Sequence, residues 1–325
     1  MTRQFLALLA LVFLSSPSVL CAEEDEGSAL LFRGSGVSIG SQATALSFSP
    51  NAEPDFNPTV GMSVDMALML WFSPVYSMAL RGGVNREFTR SDSTTESGEV
   101  VLGDASLTLG ASRLWTVPVL EIDISSSLGV QAPTSPTSRA RTMILGVSPG
   151  VSLGRRFSLL QGANISLGFR GSFFTHRFTT SERKTPLIGD CVLGSGGCEA
   201  FLNLGVRNVQ RRLAYSASFS LQILSGLGIS VSTTALNDFL YDAVEDERVS
   251  FTPLDAQDTR FAIVYNTALS YRPIDGVSLG LGAVTAGAQR AADQEFREPF
   301  FNRNTVIYFD LGLEISGLIS QVTGE

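Results

Sequence analysis

One pattern constrains this chain more than any other: apolar and polar residues alternate, residue by residue, in segment after segment. In "VGMSVDMALMLWFSPVYSMALRGGV" (Val60 to Val84), Val60, Met62, Val64, Met66, Leu68 and Leu70 share one parity, while Gly61, Ser63, Asp65 and Ala67 share the other. Ser73-Pro74 interrupts the pattern, and it resumes from Tyr76. A membrane-spanning helix needs about 20 mostly apolar residues in a row, and here a polar or small residue falls at every second place. Period two is the signature of a β-strand with one apolar and one polar face.

The same alternation runs through "ASLTLGAS", "LEIDISSSLGV", "MILGVSPGVSL", "NISLGFRGSFF", "LAYSASFSLQI", "GISVSTTA", "RFAIVYNTALSY", "VSLGLGAV" and "VIYFDLGLEI". The connections alternate too. Ser73-Pro74, Val117-Pro118, Leu159 to Gly162, Ser225-Gly226 and Pro273 to Gly276 are short; Arg90 to Gly98, Pro133 to Arg139, Thr179 to Gln210, Asp242 to Asp258 and Arg290 to Asn302 are long. Five hairpins on the short turns, plus one strand at each end, predict about twelve strands with both termini on the short-turn side. The first strand, around Leu31 to Ser47, carries the weakest pattern, because "RGSGVSIGSQATALSFS" is rich in small residues.

The N-terminus reads as a secretory signal peptide over residues 1–22: Arg3, then the apolar "FLALLALVFL", then a small residue, Ala22. A lipidated Cys21 is opposed by the large Leu20 before it. One domain, residues 23–325, then remains. It would keep Cys191 and Cys198, an even pair suited to a disulfide in an exported protein. The chain carries a formal net charge of −8, which argues against nucleic acid as a partner.

Alternating strands joined by short and long connections in turn, with aromatics beside the short turns, resemble Gram-negative outer-membrane β-barrel proteins over nearly the whole mature chain. The resemblance is one of architecture, and it implies an all-β, antiparallel, up-and-down transmembrane barrel in the bacterial outer membrane, with lipids as surroundings. In lipid every backbone group must be paired within the structure, so a non-helical spanning protein is a closed barrel. Asp65 is then tolerated because its parity points inward. Trp71 and Trp115, each beside a short turn, are expected in the interfacial aromatic girdles. One departure stands out: many such proteins end on an aromatic residue, whereas this chain runs past "YFDLGLEISGLIS" to Glu325, so either an assembly signal lies inside, around Phe309 to Ile315, or the tail is an addition.

Inward parity collects Asp65, Arg81, Glu87, Asp104, Glu121, Asp123, Arg170, Arg260, Arg272, Asp310 and Glu314 as candidate lumen-lining residues. They would either line a water-filled passage and tune its selectivity or pair across the lumen and plug it. Acids slightly outnumber arginines in this set, which leans toward cations. His176, the only histidine, points inward near a strand end with no partner at a recognisable spacing, so no catalytic role is expected of it. No Cys/His cluster suggests a metal, no glycine pattern suggests a dinucleotide, and no cofactor is expected. Two functions fit these features: a porin-like channel for small hydrophilic solutes, or a structural barrel in an envelope machine with protein partners. A soluble β-sandwich is the remaining fold alternative.

Overall fold

The computed structural model describes residues 31–45, 59–89, 98–183, 202–242, 258–287, 298, 300–302 and 304–318. The expected signal peptide and both Cys191 and Cys198 lie outside the described residues.

The strands are β1 (Gly36–Thr44), β2 (Val60–Trp71), β3 (Tyr76–Glu87), β4 (Val100–Leu102), β5 (Ala105–Val117), β6 (Ile122–Ala132), β7 (Met143–Phe157) and β8 (Ala163–His176), then β9 (Thr180–Arg183), β10 (Leu202–Arg207), β11 (Val209–Leu224), β12 (Leu227–Leu240), β13 (Thr259–Ile274), β14 (Val277–Gly287) and β15 (Thr305–Glu314). Twelve of them form a closed antiparallel barrel, each paired with its sequence neighbours. The short β4 sits beside the upper part of β3, on the line of β5. The β9–β10 hairpin stands apart from the wall, in the connection from β8 to β11.

The weakly patterned first strand is part of the wall. β1 pairs with β15 on one side and β2 on the other, and so closes the ring between the two ends of the chain. Ser35 secures that closure: its hydroxyl donates to Met69 O at 3.0 Å and accepts from Met69 N at 2.8 Å. Both ends of the described chain lie at the short-turn end, as the loop order predicts.

The short turns follow local chemistry. Two-residue connections fall at Ser225-Gly226 and Asp275-Gly276, and each glycine has φ +80. L side chains rarely adopt that backbone conformation, so a tight turn selects glycine there. The β5–β6 and β7–β8 turns instead place Glu121 (φ 50) and Leu160 (φ 54) in the left-handed region.

Register converts the sequence alternation into two faces. Outward positions carry Met66, Leu107, Leu167, Phe219, Leu281 and Phe309, all exposed. Inward positions are largely small or polar, for example Ser166, Ser218 and Ser232. A soluble β-sandwich would bury the first set. Here the apolar face is the outer one, and the sandwich alternative falls.

The inner wall has one apolar sector. Leu236, Ala262, Val264, Val284, Ala286, Val306 and Tyr308 cluster on β12 to β15, in the half nearer the long loops. All share the inward parity of their strands.

Candidate functional site

The lumen holds its charges at three levels. At mid-height, Asp65 on β2 and Asp310 on β15 flank β1: Asp65 is opposite Ser38, and Asp310 is opposite Gly40. Strands lie about 4.8 Å apart, so a side chain at Gly40 would separate the two carboxylates. None is there. A Cβ at Gly40 would lie 2.7 Å from Asp310 Oδ1 and 2.9 Å from Ser63 Oγ. Asp65 is hydrogen-bonded to Ser63 and lies over Gly83, leaving no room for a Cβ on that residue. The two carboxylates interact electrostatically across this gap.

Arg81 and Arg170 carry the opposite sign, Arg81 on the strand beside Asp65 and Arg170 across the lumen. Arg81 is on β3 and Arg170 on β8, both at inward positions, and the two guanidinium groups are within Coulombic range of each other. β8 stands six places from β1 in the ring of twelve, directly across the barrel from the carboxylates. Arg170 is exposed although it faces inward, so there is solvent-accessible space on that side of the lumen. Among the described residues, no ion pair joins Asp65, Asp310 or Arg170 to an opposite charge.

Nearer the long loops, Arg212 on β11 and Asp238 on β12 make a buried, two-pronged ion pair, with Nε–Oδ1 at 2.5 Å and Nη2–Oδ2 at 2.8 Å. Arg212 also lies over the Phe174 ring, 5.9 Å from its centroid. Arg260 stands directly opposite Asp238 on β13. His176 meets Tyr241 edge-on at 5.6 Å, and the Tyr241 hydroxyl donates to Phe174 O. This is aromatic packing at the rim. Asn208 ties the rim together: Nδ2 donates to Arg141 O and Phe178 O, and Oδ1 accepts from the Ser181 hydroxyl.

Several candidate lumen residues do other work. Glu121 sits in the β5–β6 turn, exposed, and not on the wall. Asp123 is engaged at the foot of β6, accepting from the Thr116 hydroxyl at 2.6 Å and facing Arg113 at 3.7 Å. Glu314 joins the chain ends: Oε1 accepts from Gly34 N and the Ser316 hydroxyl. Glu87 accepts from the Thr89 hydroxyl at the rim. Arg272 faces inward at the short-turn end of β13. Trp71 is on the inward parity, opposite Ser77, with Nε1 donating to Arg33 O and the Arg33 guanidinium over its ring. The exposed aromatics at that turn are Phe72 and Tyr76. Trp115, on β5, is 60% exposed on the outer face. Inward parity also places Arg156, Arg212 and Asp238 in the lumen; the alternation of their strands is a signal that could have found all three.

Asp104 is an anchor. It lies between β4 and β5, accepting from Gln131 Nε2, Ser135 N and the Ser138 hydroxyl. Ser135 caps the helical turn α1 (Pro136–Ala140) in the β6–β7 connection. Asp104→Ala would leave three donors without their charged acceptor, a loss of about 1–3 kcal/mol for the first to go unsatisfied. The expected result is faster tryptic cleavage at Arg139 and Arg141 with the barrel intact. Unchanged cleavage would show that the loop is held by other contacts.

No family model and no curated protein matches the sequence. Solved structures do. An outer membrane channel from Pseudomonas putida F1 aligns over 90% of this chain and 99% of its own, at TM-score 0.54 and 11% identity. The NanC porin aligns over 86% and 98%, at TM-score 0.45 and 8% identity. LpxR from Salmonella typhimurium aligns over 85% and 99%, at TM-score 0.38 and 12% identity. The chain has the fold of an outer-membrane β-barrel. At these identities the likeness extends to the fold and stops there, so function is argued from the site.

Proposed function

We propose that this barrel spans the bacterial outer membrane, short turns toward the periplasm, and acts as a porin-like passive channel for small hydrophilic solutes. The observation that carries the reading is the mid-lumen belt. A lumen closed by its own side chains would place opposite charges in contact. Here Asp65 and Asp310 are grouped beside β1 and Arg170 stands on the opposite wall, with none of the three in an ion pair among the described residues. Grouping like charges is unfavourable unless water or a passing solute lies between the groups. The exposed Arg170 supports such a space.

Acids and arginines together at mid-lumen predict weak ion selectivity, because opposite charges partly cancel along the pore. The lean toward cations loses its basis: Glu121 leaves the wall, Arg113 faces Asp123, and Arg156 joins the inward arginines. In a planar bilayer the purified protein should give discrete conductance steps with a reversal potential near zero in a salt gradient. Arg170→Glu should shift the reversal potential toward cations, and Asp310→Arg toward anions. A barrel that never conducts would sink the channel.

A second reading, a structural barrel in an envelope machine, draws on one observation. The tips of the adjacent β5–β6 and β7–β8 turns are apolar: Val119, Leu120, Leu159 and Leu160 are all at least half exposed. They lie beyond the aromatic row of Trp115 and Phe157. If conduction fails, pull-down of the tagged barrel with and without Val119→Ser and Leu160→Ser is the next measurement, and loss of a periplasmic partner in the variants would favour this reading.

A further inference from the structure

The outer face of the wall is almost free of strongly polar side chains, and its exceptions have one sign. Apart from Arg113, which lies in the β5 register shift between Ala111 and Trp115 and faces Asp123, the charged residues at outward register positions of the described wall strands are Arg86, Arg155 and Arg211. No acid accompanies them. Arg86 and Arg155 are already engaged. Arg86 Nε donates to Gly98 O at 3.1 Å and its guanidinium lies over Phe88; Arg155 lies over Phe157 at 5.0 Å.

Arg211 differs. It is exposed near the long-loop end of β11 and has no hydrogen bond or ion pair among the described residues. Its direct cross-strand neighbours are Phe173 on β8 and Phe239 on β12, both exposed outward. Asn237 is two residues from Phe239 on the same outward face, diagonal to Arg211. Diagonal pairs are about 7–8 Å apart, within reach of long side chains. Asn237 is the one outward carboxamide on the described wall strands, and it too has no described partner. The outward residue below Arg211 is Leu213, so the pair sits at the upper edge of the apolar band.

A guanidinium and a carboxamide on a lipid-facing surface are retained only where headgroups can satisfy them. We propose that Arg211 and Asn237, framed by Phe173 and Phe239, form an outward-facing site for the phosphate of a lipid headgroup in the leaflet at the long-loop end. The chemistry matches: guanidinium donors suit phosphate oxygens, the amide adds a neutral donor, and the phenylalanines pack the upper part of the acyl chains. This inference rests on the membrane reading above, but not on conduction.

The test uses full-length protein in detergent micelles, titrated with phosphatidylglycerol or with digalactosyldiacylglycerol, which has no phosphate. Native mass spectrometry counts retained lipids. The wild type should retain phosphatidylglycerol about tenfold better than the phosphate-free glycolipid, and excess inorganic phosphate should compete poorly. Arg211→Gln should abolish most of that preference, Arg211→Lys should keep part of it, and Arg86→Gln should leave it unchanged. Equal retention of both lipids by the wild type, or an Arg211→Gln variant that keeps the preference, overturns the site. So does displacement of the lipid by inorganic phosphate, which would mark a generic anion contact. A protein that does not insert into lipid vesicles would fail the membrane reading itself, a different result from loss of the lipid preference alone.

Discussion

Arginine at Leu167 should block assembly of the barrel, whereas arginine at the adjacent Ser166 should be far better tolerated. The two residues are neighbours on β8, so the substitution, the local strand and the depth are nearly the same. Only the face differs. Leu167 is 54% exposed on the outer wall, and Ser166 faces the lumen, its hydroxyl 2.6 Å from that of Ser218. A charge on the lipid face near the midplane costs about 2–4 kcal/mol. At Ser166 the loss is one neutral hydrogen bond, about 1 kcal/mol, and the new guanidinium can reach water. The Leu107 and Ser106 pair on β5 repeats the comparison, with Leu107 exposed outward. The heat-modifiable gel shift of outer-membrane fractions reads the folded fraction directly. Equal damage from both members of each pair would refute the assignment of faces.

The sequence pattern carried the strands, their faces and their order, because period two is a local signal that each segment displays independently. It carried β1 poorly for a reason now visible. The small residues that blur its pattern meet a packing need: at Gly40 a side chain would collide with Asp310 and Ser63. The site was less legible. Parity alone placed Glu121 on the wall, yet the chain turns there with φ 50. Trp71 sits beside a turn but on the inward parity, and its partner Arg33 comes from the far end of the chain's first segment. Asp104 and Glu314 are claimed by donors from residues remote in sequence, which a single sequence does not reveal. The separation of charge around the lumen depends on ring order: that β8 stands opposite β1 follows only once all twelve strands are counted and closed.

Asp238→Ala is expected to be the most damaging lumen substitution, lowering stability by about 3–5 kcal/mol, as breaking a buried ion pair by removing one partner does. Arg212 and Asp238 side chains are each 10% exposed, so neither is well hydrated when left alone. Asp238 also stands between two arginines, Arg212 and Arg260, on the strands either side. Its loss would leave both guanidinium groups facing each other without the intervening carboxylate. Arg212→Leu alone should be nearly as harmful, since it strands the carboxylate. The double variant Arg212→Leu/Asp238→Leu removes both charges and fills the space with apolar side chains beside Phe174. It should recover much of the stability, because a well-packed apolar pair can replace a buried ion pair at little net loss. The temperature of the heat-modifiable transition measures all three variants on one scale. A double variant no better than the sum of the singles would mean that the two residues do not act as a pair, and that Asp238 is held by Arg260 instead.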